Sequence, residues 1–102
     1  MSPTQRTLAA LREAGYRAAV VERWNPHARI RQDLFGVVDV LAIRTGETLA
    51  VQACSSRVAE RVRKLADSEA LPDMRAAGWR VEVWGWTKRA NGRFARRVVD
   101  VT

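Results

Sequence analysis

Hydrophobic spacing changes several times along the chain, and each change marks an element. After Ser2-Pro3-Thr4, a plausible helix start, Leu8 and Leu11 recur at helical spacing with Ala9 and Ala14 as far as Gly15. Glycine is favoured just past a helix end, so a first helix of about three turns is predicted. Tyr16 to Val21 then reads as a strand. Glu22 to Gln32 is polar, contains Asn25-Pro26 and has no clear period, which predicts a long functional loop.

Val37 to Ile43 is apolar almost without interruption, as expected of a central strand covered on both faces. Thr45-Gly46-Glu47 supplies a turn, and Thr48 to Cys54 returns as an adjacent antiparallel strand. Ser55 or Ser56 is expected to cap the next helix. There Val58, Val62 and Leu65 form a core stripe, while Arg57, Arg61 and Lys64 form a separate cationic one. Leu71-Pro72 interrupts, and Asp73 to Ala77 predicts a short helix ended by Gly78. Trp79 to Trp86 alternates as a strand, with Trp84 and Trp86 on one face opposite Val83, so Trp79 and one of the other two are expected in the core. Lys88 to Gly92 turns the chain into a last strand, Phe94 to Val101. Residues 1–102 should therefore form one α/β domain, an α-β-β-β-α-(α)-β-β sandwich on a mixed sheet.

Composition sharpens this picture in two respects. The 102 residues are 47% hydrophobic, enough for a modest core without disulfide or zinc staples, and the one cysteine, Cys54, has no partner in the chain. With neither a signal-type apolar segment nor an apolar stretch long enough to span a bilayer, the protein is expected to be soluble, cytoplasmic and free of membrane partners. The balance of 18 Lys+Arg against 11 Asp+Glu gives +7, and only Lys64 and Lys88 are lysines. Guanidinium forks pair bidentately with phosphates and stack on bases, so this surplus points to nucleic acid, although coding bias toward arginine on an ordinary solvated surface would give the same count.

One residue does not belong to the apolar pattern. Asp39 stands inside the Val37–Ile43 run, where an isolated buried carboxylate costs several kcal/mol unless it is paired, hydrogen-bonded or bound to a cation. If the hairpin register sets Asp39 opposite Gln52, a carboxylate and a carboxamide oxygen converge, and such hard oxygen donors suit Mg²⁺ or Mn²⁺. Asp33 is either a turn cap before Leu34-Phe35-Gly36 or a further site residue, and Glu22 offers another oxygen from the end of its strand. His27 is the only histidine, and it lies with Trp24, Arg29 and Arg31 in a segment that combines stacking and cationic groups, as binders of single strands or junctions do. Arg57 and Arg61 are either phosphate contacts or solubilising charge; Cys54 reads as a small buried residue rather than a nucleophile.

The pattern Gly36-x-x-Asp39, hairpin, Gln52-x-Cys54, then a helix bearing Lys64, on an α-β-β-β-α-β order, resembles the PD-(D/E)XK nuclease superfamily. In particular it looks like small phage and bacterial proteins similar to Holliday junction resolvases, whose recurrent segments Arg31–Asp39 and Val83–Trp86 resemble. The resemblance implies a restriction-endonuclease-like αβββαβ core with a mixed central sheet flanked by helices. It further implies a homodimeric endonuclease that hydrolyses branched or structured DNA with Mg²⁺ or Mn²⁺. On it, Asp39 matches the metal-binding aspartate and Gln52 the second ligand. Cys54 stands where the motif has lysine, so Lys64, or Arg61 beside it, would have to restore that charge. Glu13 resembles a helix-borne glutamate of resolvase-like members. The alternative it leaves open is a catalytically degenerate nuclease fold that serves as a DNA-binding or protein-interaction module.

Overall fold

A computed structural model describes all residues from Met1 to Thr102. The elements are α1 (Pro3–Glu13), β1 (Arg17–Val20), β2 (Arg23–Asn25), β3 (Ile30–Gln32), β4 (Val40–Arg44), β5 (Glu47–Cys54), α2 (Val58–Ala66), α3 (Ala70–Ala76), β6 (Arg80–Lys88) and β7 (Phe94–Asp100). Five strands form a mixed sheet in the order β1-β4-β5-β6-β7, in which only β5 and β6 run parallel. That one parallel pair requires a crossover, and α2 and α3 supply it.

The α1 helix begins as its residues predict. Ser2 accepts the Gln5 N–H through its Oγ at 3.1 Å, and Pro3 occupies the first turn, where no backbone donor is lost. Gly15 leaves the helix at φ 94°, a left-handed conformation natural to glycine. Leu8 and Leu11 face the sheet and pack with Ala18, Val40, Ala42, Leu49, Val51 and Trp84. On the opposite face, Leu65, Leu71 and Met74 from α2 and α3 cover Ala50, Cys54, Val81 and Val83. Strand alternation sorts these sets: the odd residues 49 and 51 of β5 meet α1, and the even residues 50 and 54 meet α2 and α3. Each such buried aliphatic side chain contributes about 1.5–3 kcal/mol. A polar tie crosses the α1 side, where Trp86 Nε1 donates to Thr7 Oγ1 at 2.9 Å.

Four expectations are corrected. Glu22–Gln32 is not an irregular loop: β2 and β3 pair antiparallel as a separate ribbon, with Arg23 opposite Gln32 and Trp24 opposite Arg31. Asn25 makes its turn, with Oδ1 accepting the backbone N–H groups of His27 and Ala28. The apolar run from Val37 becomes strand only at Val40. Before it, Leu34 and Val38 bridge a tight turn that holds Phe35 at φ 55° and Gly36 at φ 76°. No serine side chain caps α2: its N-cap is Arg57, in left-handed conformation at φ 60°. Finally, α3 starts three residues before Asp73, because Pro72 lies in the first turn, where its missing N–H has no helical partner to lose.

Candidate metal centre

Asp39 sits just before β4, with its backbone held on both sides: its N–H donates to Val51 O at 2.9 Å, and its carbonyl accepts Val21 N–H at 2.8 Å. The β4–β5 register pairs Val40 with Val51, so one residue further back Asp39 faces Gln52, as the hairpin spacing anticipated. Both side chains are buried, with exposures of 4% and 2%. Asp39 Oδ2 accepts from Gln52 Nε2 and from Ala53 N–H, each at 2.8 Å.

Two further carboxylates arrive from the ribbon. Glu22 immediately precedes β2 and Asp33 immediately follows β3, so the pairing that closes the ribbon brings both to its root. One carboxylate oxygen from each of Glu22, Asp33 and Asp39 lies within 4.8 Å of the others. Gln52 Nε2 also reaches Asp33 Oδ2, at 3.5 Å, and Arg31 approaches Glu22 at 3.6 Å from a largely exposed position. Burial, then a hydrogen bond with the Asp33 carboxyl, pushes Asp39 up to about 7, and the charges of Asp33 and Glu22 add to the rise. The Ala53 N–H opposes it.

The donor set suits a hard cation. Around Mg²⁺, with oxygens at about 2.1 Å, neighbouring ligands stand about 3.0 Å apart and opposite ones about 4.2 Å, so the three oxygens would draw together on binding the ion. Gln52 gives a second indication. Its amide nitrogen sits between Asp39 and Asp33 where positive charge is favoured, while its Oε1 is buried without any hydrogen-bond partner. A buried carbonyl left unpaired costs about 1–3 kcal/mol. Turning the amide over would aim that oxygen into the cluster, where a cation would accept it and replace the lost N–H bonds.

The structure brings together Asp39 and Gln52, and adds Glu22 and Asp33, which sequence alone left as options. Glu13 does not join them: it is exposed at the end of α1, the helix that packs on the other face of the sheet. Lys64 is exposed on α2 and makes no ion pair or hydrogen bond. Arg61, half-buried on the same helix, is closer to the chemistry: burial pushes the Cys54 thiol up, the Arg61 guanidinium opposes that, and the Asp39 carboxylate adds to it. Cys54 itself is 5% exposed, in the core under α2 and α3. Arg57 is exposed, 3.9 Å from Glu60. Trp24, His27, Arg29 and Arg31 all lie exposed on the ribbon, and Arg29 takes φ 54° in its turn.

A comparison with known protein families finds no match to this chain, and a comparison with curated proteins finds none either.

Proposed function

We propose that the protein is a metal-dependent endonuclease of PD-(D/E)XK type that acts on branched or structured DNA. The observation that carries this reading is the convergence of Glu22, Asp33 and Asp39 beside the buried Gln52 at one end of the sheet. The architecture supports it: with the β2–β3 ribbon set aside, the order runs α-β-β-β-α-α-β-β, and helices flank a mixed sheet on both faces.

In this reading Asp39, Asp33 and Glu22 hold Mg²⁺ or Mn²⁺, with Gln52 as a further oxygen donor. The ion supplies Lewis acidity and a more acidic bound water. The chain's own groups do the rest. Asp39 is anchored by Ala53 N–H, so its second oxygen keeps a fixed direction. Arg61 takes the place of the motif lysine and offers a permanent positive charge to the phosphate, with Lys64 one turn further along the helix. Trp24 stacks on unpaired bases while Arg29 and Arg31 hold backbone phosphates, so the ribbon carries substrate at one end and metal ligands at the other. Two copies in a homodimer present two such sites to the two strands of a junction.

The test is cleavage of junction, flap and linear DNA with and without Mg²⁺. Wild type cuts the branched substrates and Asp39→Ala does not; equal activity of the two proteins removes the metal assignment. A second reading rests on the buried Cys54 at the lysine position and on Gln52 donating rather than accepting. In it the fold binds DNA without cutting. Salt-sensitive binding that persists in EDTA, with no cleavage by wild type under any divalent ion, selects that reading.

A further inference from the structure

Positive charge also gathers at the far end of the β1–β4 ladder. An open groove there is lined by Arg12, Arg17 and Arg44 around Tyr16, with Ile43 and Thr45 on its rim, and no carboxylate lines it. Its shape is held from beneath. Arg12 donates to the edge carbonyl of Ala18 at 3.1 Å, Tyr16 donates its hydroxyl to Glu47 at 2.7 Å, and the Arg44 guanidinium stacks 4.2 Å over the Tyr16 ring. Glu47 pairs with Arg44 and Arg80, each at 2.6 Å, and Glu82 pairs with Arg80 in turn, so these four charges balance and the groove's surplus positive charge lies on Arg12 and Arg17. Arg17 is exposed and has no protein partner. Three guanidiniums fixed along an open edge, with no enclosing walls, suit phosphates strung on a chain better than one small anion.

The groove wraps the exposed β1 edge of the sheet: Arg12, Tyr16 and Arg44 lie on the α1 side, and Arg17 and Ile43 on the side that carries Asp39. Arg17 pairs with Ile43, Ala19 with Leu41, and the same ladder ends where Val21 donates to the Asp39 carbonyl. Alternation therefore puts Arg17, Ala19 and Val21 on the face that carries the Asp39 side chain. The helices α2 and α3 pack chiefly against β5 and β6, so Ala19 and Ile43 stay exposed, while Val21 and Leu41 nearer Asp39 are partly covered. Four residues of antiparallel strand span roughly 14 Å. At 3.4 Å per nucleotide along a duplex strand, this is about four nucleotides.

We propose that the Arg12–Arg17–Arg44 groove at the β1 edge is a second phosphate-binding site for a polynucleotide, whose backbone crosses the edge there and continues from Arg17 along the face of Asp39, about four nucleotides away. The assignment of the polynucleotide rests on the nuclease reading above; the groove itself rests on its own residues. The experiment is a titration of isotope-labelled protein with a short DNA duplex in EDTA, read by backbone amide NMR, with adenosine monophosphate as the small-anion arm. The duplex shifts the amides of Gly15, Arg17, Ala18 and Thr45, and the mononucleotide does not at the same phosphate concentration. Arg17→Glu weakens duplex binding and flattens the log–log salt dependence by about 0.9, the loss of one phosphate contact, at an unchanged melting temperature; Arg17→Lys restores most of the affinity. Wild-type affinity and salt slope in Arg17→Glu overturn the groove, as do shifts confined to residues 24–31 and α2. With Mg²⁺-dependent, Asp39-dependent cleavage intact, either result leaves the nuclease reading standing. Groove shifts together with cleavage indifferent to Asp39→Ala do the reverse. Equal shifts from the mononucleotide make this a small-anion site and overturn the proposal.

Discussion

Asp39 is a buried acid whose neighbours are mostly acids, and its energetics follow from that. With its carboxyl pushed from 3.8 to about 7, the folded, metal-free protein keeps a proton that the unfolded chain has released between about pH 4 and pH 7. The folded state binds more protons in that window, so stability must fall as pH rises through it, by a few kcal/mol at most. Urea denaturation in EDTA across that range should record the fall in wild type, and Asp39→Asn, which has no proton to lose, should largely remove it. An equal slope in the variant would mean that Asp39 is not the titrating group. Asp39 was legible in the sequence because a charge inside an apolar run is an energetic exception. Glu22 and Asp33 stood only as options, because each sits at the end of a polar segment where a carboxylate costs nothing. Only the pairing of the strands between them makes them neighbours.

At the scale of elements, the ribbon is where the sequence misleads. Three-residue strands separated by an Asn-Pro turn leave too short an alternation to count, and every residue but Asn25 is exposed, so no apolar face announces them. The usable signal was Asn25 itself, whose side chain satisfies the next two turn amides. Trp24 is 54% exposed and belongs to neither side of the hydrophobic core, which fits a stacking platform. Trp24→Ala should therefore weaken single-stranded or junction DNA binding by about 1–3 kcal/mol and leave the melting temperature unchanged. A loss of thermal stability without a loss of DNA affinity would make Trp24 a structural residue. The α2–β6 contact makes the opposite case, since its core stripe of Val58, Val62 and Leu65 was readable from spacing. What spacing could not give is how closely the helix approaches: a Cβ on Gly85 would lie 2.5 Å from Val58 Cγ2. Gly85→Ala should destabilise by about 1–3 kcal/mol, and adding Val58→Ala should recover most of that, as chemical denaturation of the single and double variants would establish.

For the whole molecule, strand order followed from chain order. Short hairpins join β4 to β5 and β6 to β7, and the helical crossover leaves β6 beside β5. The polar network that ties the sheet's other end is less predictable. Glu47 takes Tyr16, Arg44 and Arg80, and Glu82 takes Arg80 and Trp84 Nε1, which joins β6 to the β4–β5 turn. Nothing in the spacing of those residues foretells that they meet. No helix is long and apolar enough to cross a membrane. The sheet thus carries acid at the root of the ribbon and arginine at the opposite end of β1 and β4, a polarity that a net charge of +7 alone does not reveal.

A cation site built from Glu22, Asp33, Asp39 and Gln52 is best examined by calorimetric titration with Mn²⁺ at neutral pH. Wild type should bind saturably with release of protons, because Asp39 must give up its proton to ligate, and both Asp39→Asn and Asp33→Asn should lose that binding. Wild-type binding that survives unchanged in Asp39→Asn, or no saturable binding at all, would contradict the site.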